Sequence, residues 1–193
     1  MRVLLIHAHP LEDSFNAALK DVALAALVGA GHEVEVLDLY ACGFDPVLSA
    51  AERRGYHDVE TNREPVAREV EQLLRAEALV LVYPVWNFGY PAILKGYFDR
   101  VFLPGVSFRM KNGKVVPNLR HIHRIAAVTT YGGSRFRAML AGDPPRKLFR
   151  RVLRGLVAPF ARASYLALYD MNRADAARRT AFVTRVRDTL ARF

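Results

Sequence analysis

Three short stretches hold residue types able to seat and orient a small molecule. The first is His7-Ala8-His9-Pro10-Leu11-Glu12-Asp13-Ser14-Phe15-Asn16, between an apolar run and a helical pattern. Backbone N–H groups at such a helix start form a natural seat for an anion or phosphate, although neither GxGxxG nor a Walker glycine-lysine pair is present. Ser14 also suits an N-cap. His7 and His9 have no further ligand at suitable spacing, so no metal is expected. The second stretch is Tyr83-Pro84-Val85-Trp86-Asn87-Phe88-Gly89-Tyr90, where aromatics crowd a glycine just before Pro91. Such a loop suits a flat ligand; capping of the core is the structural alternative. The third is Thr129-Thr130-Tyr131-Gly132-Gly133-Ser134, where paired glycines let backbone donors approach a ligand closely or simply make a tight turn.

These stretches need a scaffold that brings them together, and the hydrophobic pattern describes one. Arg2–Ala8, His32–Leu39, Ala78–Tyr83, Ile122–Thr130 and Ala163–Tyr169 read as strands, the third stopped by Pro84. The His32 strand alternates strictly, which places it toward a sheet edge. Helical patterns follow at Ser14–Val28, Pro65–Arg75 and Ala92–Phe102, then over a basic segment from Phe136 to Phe160 broken at Asp143-Pro144-Pro145, and finally at Ala174–Phe193. A turn of helix is expected at Ser49–Arg54, and Asn112-Gly113 signals a hairpin. Strands that alternate with helices predict a doubly wound α/β fold, a parallel sheet with helices on both faces. In such sheets ligands sit beyond the carboxyl ends of the strands, where all three stretches fall.

At 193 residues one domain spanning 1–193 is expected, with 52% hydrophobic and 24% charged residues. No apolar run reaches the roughly 18 residues of a membrane span. The single cysteine, Cys42, and the absence of a signal-peptide pattern predict a reducing, cytoplasmic setting. Charge is split: residues 1–99 carry 8 Lys/Arg and 15 Asp/Glu, whereas residues 100–193 carry 20 and 4. That asymmetry suits an acidic partner or an anionic cofactor. No zinc-ligand set or nucleic-acid motif accompanies it, so nucleic acid is not expected as a partner.

The combination H-x-H-P-x-x-x-S-F-N at 7–16, P-x-W-x-F-G-x-P-A-x-L-K-G-x-F-D-R at 84–100 and T-T-x-G-G at 129–133 resembles the flavodoxin-like NAD(P)H quinone oxidoreductases. That group includes mammalian quinone reductase and flavoproteins associated with bacterial potassium efflux. The resemblance implies a five-stranded sheet of order 2-1-3-4-5 and a bound flavin. His9, Ser14, Phe15 and Asn16 would hold its phosphate and ribityl end. Pro84, Val85, Trp86, Asn87 and Phe88 would run along the isoalloxazine edge, and Thr129, Thr130, Tyr131, Gly132 and Gly133 would close its pyrimidine side. No segment is dedicated to an adenosine, which favours FMN over FAD.

The implied activity carries a hydride from NADPH or NADH through flavin N5 to a quinone or similar flat acceptor, by ping-pong exchange. Phe88, Tyr131 and Arg135 would meet the substrate, and Arg135 with Arg137 would favour NADPH. Family members pair as homodimers. A regulatory subunit docked on a membrane transporter and a one-electron carrier are the alternatives. The tyrosine and histidine that assist hydride transfer in mammalian quinone reductase have no counterpart in Ser134-Arg135-Phe136-Arg137, so no catalytic residue is assigned. Tyr131, inserted before the glycines, and Asn87, where an aromatic is common, set this chain apart.

Overall fold

The computed structural model describes all residues, 1–193. Five parallel strands form its main sheet: β1 (Arg2–His7), β2 (Glu33–Asp38), β3 (Ala78–Val85), β6 (Arg124–Tyr131) and β7 (Arg162–Leu168), in the order β2-β1-β3-β6-β7. This is the expected 2-1-3-4-5 order, and the alternating β2 is an edge strand, as its pattern required. A separate two-stranded hairpin, β4 (Phe108–Lys111) and β5 (Lys114–Pro117), turns through Asn112 and Gly113, both at positive φ. That turn needs residues tolerant of the left-handed region, which Asn-Gly supplies.

Helices cover both faces. α1 (Phe15–Gly29) and α8 (Ala176–Leu190) pack on Val3, Leu5, Val80, Val82, Ala126 and Val128. The opposite face, with Leu4, Ile6, Leu79, Leu81, Ile125 and Ala127, is covered by α3 (Ala67–Arg75), α4 (Ala92–Val101) and the helical stretch after β6. That stretch comprises α5 (Arg135–Leu140), α6 (Pro144–Lys147), a π-helical turn at Leu148–Leu153 and α7 (Arg154–Leu156). It ends at Leu156, short of the expected Phe160, because Val157 bridges Leu119 and Phe160 takes a positive φ.

Two strand ends differ from expectation in a way that shapes the site. Pro84 does not stop β3; it pairs with Thr130, and the strand runs on to Val85. Ala8 N donates to Val82 O, so Val82, and Pro84 with the same alternation, turn their polar edge toward β1. β1 has already ended at His7, opposite Val82, so the missing N–H of Pro84 removes no ladder bond. β6 likewise runs through Tyr131, one residue past β7's last partner, Leu168 with Thr130. The two central strands therefore project beyond their neighbours.

A short helix, α2 (Ala50–Gly55), falls where a turn of helix was expected, with Ser49 and Glu52 forming a reciprocal capping box. Arg100 of α4 reaches across to Glu52 Oε1 at 2.7 Å, and both side chains are nearly buried. Gly96 admits the Pro46 backbone so closely that a Cβ there would lie 2.3 Å from Pro46 O. Two residues of the K-G-x-F-D-R stretch are thus explained by packing.

Candidate functional site

The three stretches meet at the carboxyl ends of β1, β3 and β6. At the first, Ser14 caps α1, its Oγ accepting from Ala17 N at 3.0 Å. Phe15 is half-buried beneath the Arg179 guanidinium. Asn16 is buried, and neither atom of its side-chain amide has a protein partner. An orphaned buried amide costs about 1–3 kcal/mol, so this side chain reads as one waiting for a ligand. His9 accepts from Leu11 N at 3.1 Å and lies against Trp86, ring centroids 5.8 Å apart, which joins the first loop to the second.

His7 points elsewhere. Its Nδ1 meets Asp38 Oδ2 at 2.8 Å, tying the ends of β1 and β2 together. Burial lowers its pKa, with the Asp38 bond opposing, and the ring stays neutral near neutrality. Beside it, His9, Lys20 and Tyr40 help to line a cavity of about 270 Å³.

The second loop is a tight reversal. Trp86 and Gly89 exchange backbone bonds at 3.2 and 2.8 Å around Asn87 and Phe88, both at positive φ. A left-handed phenylalanine is strained, and such strain concentrates where a side chain must be aimed. Here it leaves Trp86 40% and Phe88 38% exposed, two large apolar rings facing outward at the rim of the crevice.

The third loop lies beside it. A Cβ on Gly133 would come no closer than 3.9 Å to any atom, the Phe88 ring being among its neighbours, and neither Gly132 nor Gly133 has positive φ. Gly132 is already hemmed in by Asn172, whose Nδ2 would lie 3.2 Å from a Cβ there, whereas nothing within the protein requires Gly133, for which a close approach from outside is the better account. Gly133 O accepts from Asp170 N at 2.9 Å, which ties the loop to the end of β7. Thr129 and Thr130 are buried within β6, and Thr129 Oγ1 has no partner. Arg135 is exposed at the start of α5.

Tyr131 stands differently from its sequence reading as a substrate contact. As the last residue of β6 it continues the inward alternation of Ile125 and Ala127, so its ring is 2% exposed. Its hydroxyl lies 2.6 Å from Asp143 Oδ1 and 2.6 Å from the Tyr165 hydroxyl. Burial, with the neighbouring Tyr165 and Asp143, raises its pKa far above the usual phenol value, so it stays a donor. Only its backbone remains for a ligand.

A family model described as "Flavodoxin-like fold" matches residues 1–187. The chain belongs to that family. NAD(P)H dehydrogenase [quinone] 1 of Cavia porcellus is 37% identical over 123 residues, covering 55% of this chain and 45% of that protein. An NAD(P)H oxidoreductase of Haemophilus influenzae is 36% identical over 122 residues, covering 63% and 60%. The flavodoxin-like chain thus spans about half the length of the curated relatives it matches. Among solved structures, NAD(P)H:quinone oxidoreductase of Methanothermobacter marburgensis aligns with TM-score 0.79 and 27% identity over 99% of this chain and 96% of that one. Smu.1420 of Streptococcus mutans UA159 aligns with TM-score 0.87 and 26% identity over the whole of both.

Sequence reasoning missed the residues beneath the flavodoxin-like loops: Asp143, Tyr165 and Tyr169 under Tyr131, and Asn172, whose Nδ2 would lie 3.2 Å from a Cβ on Gly132. The one visible signal was the break at Asp143-Pro144-Pro145.

Proposed function

We propose that residues 1–193 form one flavin-binding unit that acts as an NAD(P)H oxidoreductase on quinones or similar flat acceptors. The observation that carries it is the meeting of an orphaned Asn16 amide at the N-terminus of α1, an outward Trp86–Phe88 turn and a glycine, Gly133, that nothing within the protein requires. These suit a cofactor with an anionic tail and a flat, hydrogen-bonding head. The quinone reductases and NAD(P)H oxidoreductases among its relatives support the same reading.

A bound flavin supplies a carrier for two electrons and a proton between a nicotinamide and a quinone. This chain's residues would bind and orient it. The N–H groups opening α1, with Ser14 and Asn16, meet the phosphate and ribityl end, and His9 packs between that end and Trp86. Trp86, Asn87 and Phe88 follow the ring edge, with Pro84 and Val85 as the stiff stem below. Thr129, Thr130, Tyr131, Gly132 and Gly133 offer backbone groups to the pyrimidine side. Phe88 walls the acceptor position, where donor and acceptor alternate, and Arg135 faces the phosphates of NADPH. FMN is the form favoured over FAD, and the cytoplasm is the setting.

The test is an absorbance spectrum of the purified protein, release and chromatography of its flavin, and anaerobic addition of NADPH. A yellow protein bleached within the mixing time is the expected result. A colourless protein that takes up neither FMN nor FAD overturns the reading.

Assembly as a homodimer is proposed with it. Beside the aromatic turn runs an apolar groove of about 330 Å³, lined by Tyr90, Phe98, Phe102, Phe108, Leu148 and Val152, a face suited to a second copy. A second reading, a flavoprotein docked on a membrane transporter, is favoured by one observation. Between Arg100 and Tyr169 the only acidic residue is Asp143, and it is buried. Co-purification with a transporter, together with feeble quinone turnover, would favour that reading.

A further inference from the structure

We infer that Asp143 is a positioning residue for this seat, holding both the glycine loop and the aromatic loop from one point beneath them. The inference rests on the proposed flavin reading for its consequence, and on the protein alone for its geometry.

Asp143 immediately precedes α6, the position where an aspartate ordinarily caps a helix. It makes no capping bond, and its φ is 46°, in the left-handed region that a side chain disfavours. Both penalties go with a carboxylate turned inward. It is 9% exposed and accepts from Tyr131 at 2.6 Å and from Tyr169 at 3.4 Å through its two oxygens. Tyr131 and Tyr169 also stack, ring centroids 4.5 Å apart. Tyr131 is the residue directly before Gly132, so the backbone of the third loop is fixed through its ring.

The second loop reaches the same turn. Tyr90, four residues after Trp86, donates to Pro145 O at 3.1 Å and packs edge-on against Tyr83 at 4.9 Å. Residues 143–145 thus anchor the loops that follow β3 and β6. The loops abut where the Phe88 ring faces Gly133, so a shift of this anchor would move both walls together. A charge-assisted bond from a buried phenol to a carboxylate is stronger than a neutral one, which suits a fixed joint.

The test uses the full chain and the variants Asp143→Ala, Asp143→Asn and Tyr131→Phe. Amide exchange is followed without flavin, and FMN affinity by fluorescence quenching. In Asp143→Ala, exchange at Trp86 and Gly89, whose amides donate to each other's carbonyls, and at Asp170, which donates to Gly133 O, should rise about tenfold or more while Leu4–Ile6 of β1 keep their protection, and the FMN dissociation constant should rise about tenfold. Asp143→Asn keeps an oxygen for the Tyr131 hydroxyl and should recover most of both effects. Tyr131→Phe should loosen the Asp170 amide on Gly133 O but leave Trp86 and Gly89 protected, because the 143–145 turn, still held through Tyr169, stays in place for Tyr90. Should the alanine variant not fold, the Tyr131→Phe pattern decides. Exchange rising evenly through the sheet, wild-type affinity in Asp143→Ala, or an asparagine variant no better than alanine would overturn the inference. If the wild type takes up no FMN, the seat reading fails, and the exchange pattern alone decides whether Asp143 fixes the loops.

Discussion

Asn16 presents a buried amide with no partner in its own chain, and function and stability pull against each other there. Replacing it by alanine removes a desolvated polar group and should raise the melting temperature of the flavin-free protein, by an amount equivalent to about 1 kcal/mol. The same change should weaken FMN about tenfold, and calorimetry with and without FMN reads both. A purely structural asparagine would show neither gain nor loss. His7 makes a pH-dependent contribution. Its pKa is lowered from 6.5, so below that value the unfolded chain binds a proton that the folded chain refuses. Stability should therefore decline as pH falls through and below 6.5, and His7→Leu should flatten that slope. The Asp38 carboxyl also sits below its ordinary 3.8, because bonds from His7 and Ala41 N outweigh burial, so its share is lost only at more acid pH.

At the scale of elements, the ion pair of Glu52 with Arg100 latches α2 onto α4 and fixes the long connection after β2. Removing the carboxylate leaves the nearly buried Arg100 with only the Asp45 carbonyl and the Phe44 ring, a loss of about 2 kcal/mol. Glu52→Gln should show that loss in urea unfolding at pH 7. Burial alone would raise the Glu52 pKa, but bonds from Ser49 and Arg100 bring it below 4.5. The difference between variant and wild type should thus hold above about pH 5 and narrow as acid protonates the carboxylate. Strands, helices and the hairpin were legible from periodicity, Asn112-Gly113 and the apolar runs, because those signals are local. Where β3 and β6 end was not. Pro84 looks like a stop until it is known that β1 has already ended beside it. Tyr131 looks like a pocket residue until β6 is seen to include it. The Asp143 contacts span up to 26 residues, and nothing in the local pattern announces a partner at that distance.

For the molecule as a whole, the apolar groove beside the aromatic turn and the charge split predict how copies associate. Light scattering should give twice the mass of the 21.7 kDa chain, and Phe98→Glu with Leu148→Glu should return the single-chain mass. A wild type that elutes as one chain would remove the dimer proposal. The overshoot of β3 and β6 bears on how the protein fails when heated. Trp86, its one tryptophan, sits at the base of the reversal that grows straight out of β3, whose whole length is buried. A loop rooted in the most protected strand has no hinge of its own, so the seat should not melt ahead of the sheet. Tryptophan emission and far-ultraviolet circular dichroism should then trace one superimposed transition, making the indole a built-in thermometer for the entire fold.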